Sequence, residues 1–527
     1  MLVGYVSDER YVAMPLVLLE FTREGESIEA RSRATGAVYA DLAPGATYDV
    51  ALYKQGYGSK RARLTVEPGK LHHFRLLSDC LLGYVWPKWV KAGQESEFRV
   101  HSVEAYKLEL WRYGWQKEFV RNLGWHDEHG PRATMQVTPD GDYTQTGVEW
   151  NREGYNIAVH RQFVLAPARS GLYYFQASTA TGSRFAFPWV VAPERPTCPL
   201  AVLASNITWN AYNAFGGRSN YIHPEGFPRT PTVNSRQELE RYTDPDHIQY
   251  HWDEYPPLSF DRPEPINHID PGEEATDPIE GRAACHLAPA EWRLLAWLER
   301  EKFAYDYHAE TQLESGELKL EDYRVLILST HPEYWSRRMY ERVKRWVFEQ
   351  GGRLMYLGGN GINCDVKFLD ESTITCLNGD KREIDRRGLD SRFHLSHESE
   401  ANLLGVVYSD PGAMTAAPFR VVDAAHWAFA GTVLANGALF GQASLHRRCS
   451  GGASGHETDK VSASSPANVQ RLAKGENCDQ GGADMVYYDT PSGGEVFSAG
   501  SITWPSCLLV DDAVSKITAN VLGRFLG

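Results

Sequence analysis

A histidine and a glutamate two residues apart, His331 and Glu333, stand between a buried-looking strand and a helix. The four apolar residues Val325-Leu326-Ile327-Leu328 read as a strand covered on both faces. Ser336 onward reads as a helix with Met339, Val343 and Val347 turned inward. Open α/β sheets bind their ligands at the carboxyl ends of their strands, so His331 and Glu333 are the first candidates for chemistry. Three other clusters accompany them: Asn206–Tyr221, with Tyr212; Tyr250–Tyr255, leading into Ser259-Phe260-Asp261-Arg262-Pro263; and Gly358-Gly359-Asn360-Gly361.

Each cluster also has an ordinary structural reading. A tyrosine is most often a packed ring with a satisfied hydroxyl. The glycine-rich segment is most simply a tight turn needing positive φ, and it lacks the spacing of a dinucleotide fingerprint. Glu333 is suited to the first turn of a helix, where the dipole favours an acid. Convergence on one sheet edge weighs against all of these readings together.

The chain contains no GxSxG or GxCxG elbow and no HExxH or HxH spacing; His72-His73 lies in a β-rich segment and reads as surface. What remains is rich in oxygen donors, phenols and a carboxylate, which suit a hard cation. A trivalent iron is the natural guest, because its charge holds tyrosine deprotonated far below its usual pKa of about 10.

The elements that must position these groups follow from the patterning. At 527 residues the chain exceeds one core and predicts about three domains. Residues 1–79 predict a small β-sandwich, with strands at Pro15–Phe21, Thr47–Tyr53 and Ala62–Val66 separated by proline–glycine turns. Residues 80–194 predict a second, Ig-like sandwich, with strands near Glu97–His101, Tyr106–Trp111 and Gly171–Ala177 and a long loop over Gly141–Gly154. Neither carries a chemical motif. From 195 to 527 strands and helices alternate. The strands are Leu200–Ala204, Phe303–Tyr307, Val325–Leu328, Arg353–Leu357 and Gly494–Ala499, and the helices are Pro289–Lys302, Ser336–Gln350 and Asp511–Phe525. The pattern predicts a parallel, doubly wound sheet. Ser205–Gly281 is too long for a plain crossover and rich in aromatics, as a functional insertion would be.

The net charge of −14, without a basic cluster, argues against nucleic acid and anionic membranes as partners. No apolar run reaches the ~20 residues of a membrane span, and the N-terminus lacks the pattern of a signal peptide. The eight cysteines are dispersed and form no CxxC pair, which predicts reduced thiols in a cytoplasmic protein and no cysteine-held zinc.

The segments Thr208–Tyr221, Ser259–Pro263, His331–Ser336, Gly358–Gly361 and Val496–Trp504 resemble, in order and spacing, the C-terminal domain of the large subunit of the N,N-dimethylformamidase family. The resemblance covers about residues 196–527. It implies a class I glutamine amidotransferase-like α/β fold without the cysteine nucleophile. It also implies a mononuclear Fe(III), held by two tyrosines and one glutamate, that hydrolyses formamides. Carried onto this chain, Glu333 is the carboxylate ligand and Tyr212 the first tyrosine, while Tyr250 and Tyr255 compete for the second. His331 is the acid/base beside the metal, Asn360 lines the pocket and orients substrate or water, and Glu476 is the late-chain acid expected to join them. The family's amidase has a longer large subunit with an additional β domain and works with a small subunit. A small subunit and a homodimer are therefore the partners to expect, and the identity of the amide stays open. Two other readings remain at this stage: a non-catalytic binding protein with a degenerate amidotransferase-like domain, and a sugar-modifying amidotransferase-like protein.

Overall fold

The computed structural model describes residues 1–8, 12–57, 60–76, 80–102, 104–126, 162–213, 215, 219–220, 230–231, 257–268, 285–379 and 381–527. The stretch Gly141–Gly154, expected as a loop, lies outside these residues, as do Tyr250 and Tyr255.

The first β unit packs a three-stranded sheet, centred on Leu2–Asp8, against a four-stranded sheet of Leu18–Arg23, Glu26–Arg31, Thr47–Tyr53 and Lys60–Thr65. Alternation along Thr47–Tyr53 sends Tyr48, Val50 and Leu52 inward, where they meet Val6, Leu19 and Phe21 in a core of their own.

The second β unit places a three-stranded sheet over a five-stranded one. Here the inner strands of the larger sheet are covered on both faces. Along Gly171–Thr179, Tyr173, Phe175 and Ala177 point into the sandwich, while Leu172 and Tyr174 join the core of the α/β region. The strand Arg184–Ala192 behaves likewise, with Phe187 and Trp189 on one side and Ala186 and Val190 on the other. A strand buried on both faces reads as a continuous apolar run, as these do. The seam is reinforced by Trp292 Nε1 donating to the Gly114 carbonyl at 2.6 Å, and by buried Lys88 paired with Glu264 at 2.6 Å.

The α/β region is organised by a nine-stranded sheet. Its strands are β1 (Leu200–Ala204), β2 (Asp306–Ala309), β3 (Val325–Thr330), β4 (Arg353–Gly358), β5 (Phe419–Val421), β6 (Leu439–Phe440), β7 (Gln470–Gly475), β8 (Asp484–Asp489) and β9 (Glu495–Ser498). They lie in the order β2-β1-β3-β4-β9-β8-β7-β5-β6. The first five in this order are parallel neighbours. The expectation of a parallel sheet is corrected for the remainder: β8, β7, β5 and β6 are joined by antiparallel pairings. The cause is local. Thr490–Gly494 closes a hairpin between β8 and β9, with Thr490 N donating to the Gly494 carbonyl at 2.8 Å, and a tight turn permits no parallel crossover.

The helices α1 (Asn206–Tyr212), α2 (Ala288–Arg300), α3 (Glu310–Ser315), α4 (Arg337–Gln350) and α5 (Asp512–Leu526) cover the parallel half. Alternate residues of each strand serve opposite faces. Val202, Ile327 and Met355 pack with α2 and α5; Leu203, Leu326, Leu328 and Leu354 pack with α4. Helix α4 begins where Ser336 Oγ accepts from Met339 N, and ends at Gly351 with φ 74°. Among the described residues no helix is long and apolar enough to cross a membrane. Cys198, Cys364, Cys449, Cys478 and Cys507 are free thiols.

Candidate active site

The chain leaves β1 and returns to β2 through α2 on one face of the sheet, and leaves β3 for β4 through α4 on the other. Adjacent strands whose crossovers diverge in this way open a crevice at their carboxyl ends. β1 runs into α1, whose last residue is Tyr212; β3 ends at His331 and Glu333; β4 ends at the Gly358–Gly361 turn.

The backbone around this crevice is strained. Thr330, Asn360, Ile362 and His456 all have φ between 51° and 63°, a region costing about 1–3 kcal/mol for residues other than glycine. Hydrogen bonds hold it there: Ile362 N to the Pro332 carbonyl at 2.7 Å, Cys364 N to the Glu333 carbonyl at 3.0 Å, and Glu333 N to Thr208 Oγ1 at 3.1 Å. The glycines of the turn serve close approach rather than positive φ. A Cβ on Gly359 would stand 2.4 Å from the Glu457 carbonyl oxygen, and one on Gly358 would stand 2.7 Å from that of Thr330. The left-handed residue of the turn is Asn360.

Tyr212 donates its hydroxyl to Glu333 Oε2 at 2.9 Å. His331 Nε2 lies 3.2 Å from that same oxygen and 3.1 Å from Glu457 Oε2, and is aligned with neither. Asn360 Nδ2 donates to Glu457 Oε2 at 3.0 Å. His331 and Glu333 are buried, whereas the Glu457 side chain is 18% exposed and gives the cluster its opening. Asp459 supports the arrangement from behind. Its carboxylate accepts from Asn360 N at 2.8 Å and from the Tyr356 hydroxyl at 2.7 Å, and that hydroxyl accepts from Gly361 N at 2.6 Å.

Protonation follows from these partners. Carboxylates only accept, so the Nε2 of His331 carries a proton. Burial disfavours charge on His331, but the carboxylates of Glu457 and Glu333 outweigh it and raise its pKa. Burial works against Glu457 too, and its attraction to His331 nevertheless holds its pKa low. The other nitrogen of His331 faces His286 Nδ1 at 3.1 Å. His286 is pushed well below the ordinary histidine range by burial and by neighbouring imidazoles, so it is the neutral acceptor of that contact. Behind it, Cys449 N donates to His446 Nδ1 at 2.9 Å, and His446 Nε2 meets His456 Nδ1 at 3.1 Å. Burial lowers these two rings to about 3 and about 4.

The structure thus brings Tyr212, His331, Glu333 and Asn360 together. It does not bring Glu476: that residue forms a two-point ion pair with Arg420, at 2.8 and 2.9 Å, on an exposed stretch after β7. Arg420 holds its carboxyl below the usual range. The late-chain acid at the cluster is Glu457. Neither Glu457 nor His286 sits in a recognisable motif, and no spacing in the sequence singles them out. Among the described residues no three His, Cys, Asp and Glu side chains converge as a metal-binding group. A cation here would therefore depend on phenol oxygen as well as the Glu333 carboxylate.

A family model described as N,N-dimethylformamidase beta subunit-like, C-terminal, matches residues 107–516. The match starts inside the second β unit. The chain is similar to a protein of Alcaligenes sp named N,N-dimethylformamidase beta subunit, 25% identical over 409 residues, covering 64% of this chain and 50% of that one. It is similar to a protein of the same name from Paracoccus aminophilus, 26% identical with the same coverage. The chain spans about half the length of these curated relatives. Among solved structures, the Bacillus anthracis TIE protein aligns with 36% of this chain and 32% of its own at 12% identity; its TM-score of 0.13 carries no argument.

Proposed function

The chain belongs to the N,N-dimethylformamidase beta subunit-like, C-terminal family, and from that premise we propose that it hydrolyses the C–N bond of a small amide in the crevice between β1 and β3. The observation that carries this reading is the contact of the partly buried Tyr212 phenol with the buried Glu333 carboxylate, beside a histidine wedged between two carboxylates. The relatives named as beta subunits support a partner subunit for this chain as well. The doubly wound half of the sheet, with its strained turn at Thr330, supports an amidotransferase-like frame.

The donor set fits a hard trivalent cation. Tyr212 and Glu333 would hold iron, joined by Tyr250 or Tyr255 from outside the described residues. When bound, the iron supplies Lewis acidity toward the amide carbonyl or the attacking water. The chain's own groups move the protons. Glu457, at the opening, takes a proton from water as the water attacks the carbonyl carbon. His331 holds positive charge beside Glu457 and Glu333 while negative charge develops on the carbonyl oxygen. The proton on Glu457 then passes to the departing nitrogen, and acid and amine leave without a covalent bond to the protein. Asn360 fixes the Glu457 carboxylate for both transfers.

Metal content and the visible spectrum, measured on protein purified without a chelating tag, test this reading together with turnover of formamides. About one iron per chain, a tyrosinate charge-transfer band and release of amine are the expected results. A colourless protein that refuses added iron and cleaves no amide would overturn it.

A further inference from the structure

Away from the strand-end crevice, the second β unit and the α/β region enclose a cavity of about 820 Å³. One wall of it is aromatic. Trp86 ends the strand Leu82–Trp86 and Trp89 opens the strand Trp89–Lys91, so the two rings come from the two sheets of the β unit. They meet edge to face at 5.9 Å. Trp89 rests on buried Phe260 at 5.2 Å, and Phe260 stacks at 6.3 Å on Phe368, in the hairpin of Cys364–Phe368 and Thr373–Leu377. Trp86, Trp89 and Phe368 are half-buried, and the surface they keep lines the cavity.

The rim is acidic. Glu314 lies on α3 and Glu317 just beyond it, Asp370 and Glu371 form the tip of the hairpin, and Glu95 belongs to the β unit. Among the described lining residues the one base is Arg338, and it already stands 3.6 Å from Glu314 Oε1. Glu95, Glu317, Asp370 and Glu371 thus have no base beside them in the lining. Other aromatic rings of this chain carry a cation of their own: Arg33 lies 4.2 Å over Tyr39, Lys117 4.6 Å over Trp111 and Arg524 4.4 Å over Trp427. Among the described residues no lysine or arginine lies over Trp86, Trp89 or Phe368.

Such walls select by charge. An anion meets like charge along most of the rim. A neutral ligand takes carboxylates out of water with nothing to offset the loss. A cation is attracted both by the carboxylates and by the electron-rich ring faces. The volume suits a small molecule, since ligand cavities run to about 300–1,000 Å³, whereas a protein partner meets a broad surface. We propose that this cavity binds a small organic cation, an ammonium or guanidinium group on an apolar body. Its charge lies along the carboxylate rim and its body against Trp86, Trp89 and Phe368.

The test is titration calorimetry of the full chain with phenethylammonium, phenethyl alcohol and phenylacetate, three probes that share one apolar body. The cation should bind at least about fivefold more tightly than the alcohol, and its affinity should fall as salt is raised. The anion should bind most weakly. The double variant Glu317→Gln/Glu371→Gln keeps the shape of the rim and removes two exposed charges, so the fold is not at risk. It should weaken the cation by about three- to tenfold and leave the alcohol unchanged. Glu333→Gln, in the crevice, should leave binding of the cation as it is. Equal affinity for cation and alcohol, or no binding of the cation, would overturn the inference. So would binding indifferent to the double variant, and binding lost in Glu333→Gln would assign the cation to the crevice instead.

Discussion

Two clusters of buried carboxylate lie within the same α/β region and differ in one respect. Glu291, on α2, is fully satisfied: its Oε1 accepts from Ser205 N at 3.1 Å and from Trp209 Nε1 at 3.0 Å, and its Oε2 meets the Tyr307 hydroxyl. Burial raises its carboxyl to about 8, against the pull of those hydrogen bonds, so it is neutral at pH 7. The cluster at the carboxyl ends of β3 and β4 leaves valences open. Among the described residues His331 Nε2 is aligned with neither carboxylate and Asn360 Oδ1 has no partner, and four residues around them hold strained backbone. Burial of a carboxyl group alone therefore does not distinguish the two clusters; incomplete satisfaction under strain does.

The sharpest way to break this contrast is Glu333→Gln. Iron and turnover should disappear together while the circular-dichroism melt stays near wild type; retention of both would place the reactive carboxylate elsewhere. Glu457→Gln is expected to lower kcat by about 10²–10⁴-fold, the range of a lost acid/base, with iron content unchanged. Loss of iron in that variant would make Glu457 a ligand instead.

Glu291→Gln should act in the opposite sense, on stability rather than rate. The folded state keeps the Glu291 proton up to about pH 8, whereas the unfolded chain releases it near the ordinary glutamate value of about 4.3. The unfolded state thus binds fewer protons between those values, and wild-type stability falls as pH rises through the window. Glutamine can accept from Ser205 and Trp209 and donate to Tyr307 without ionising. Its melting temperature should match wild type near pH 5 and exceed it near pH 8, with turnover at pH 7 preserved. A variant destabilised equally at both pH values would show that Glu291 is ionised in the fold. The smallest effect is expected from Glu476→Gln, a half-exposed surface pair whose loss should leave rate, iron and melting temperature at wild-type values.

Much of this architecture was legible from residue patterning. The apolar runs at Leu200–Ala204 and Val325–Leu328 and the amphipathic spacing of Met339, Val343 and Val347 placed strands and helix within a few residues of where they lie. His331, Glu333 and Asn360 were legible because each follows such a strand directly. The antiparallel half was not legible: two of its strands, Phe419–Val421 and Leu439–Phe440, offer only three and two residues, too few for a period to register. In the second β unit, Tyr113, Leu172, Tyr174, Ala186 and Val190 of the larger sheet belong to the α/β core, which was not legible because period-2 alternation is silent about what covers the outer face.

The sequence by itself determined which strand ends carry polar residues, since apolar periodicity dictates what each element buries and therefore where it stops. Only the tertiary structure decided that Glu457, rather than Glu476, meets His331. Glu457 and His331 are 126 positions apart, on a loop and a strand end with no shared period. Their encounter depends on the order of strands in the sheet and on the close backbone approach that Gly359 allows.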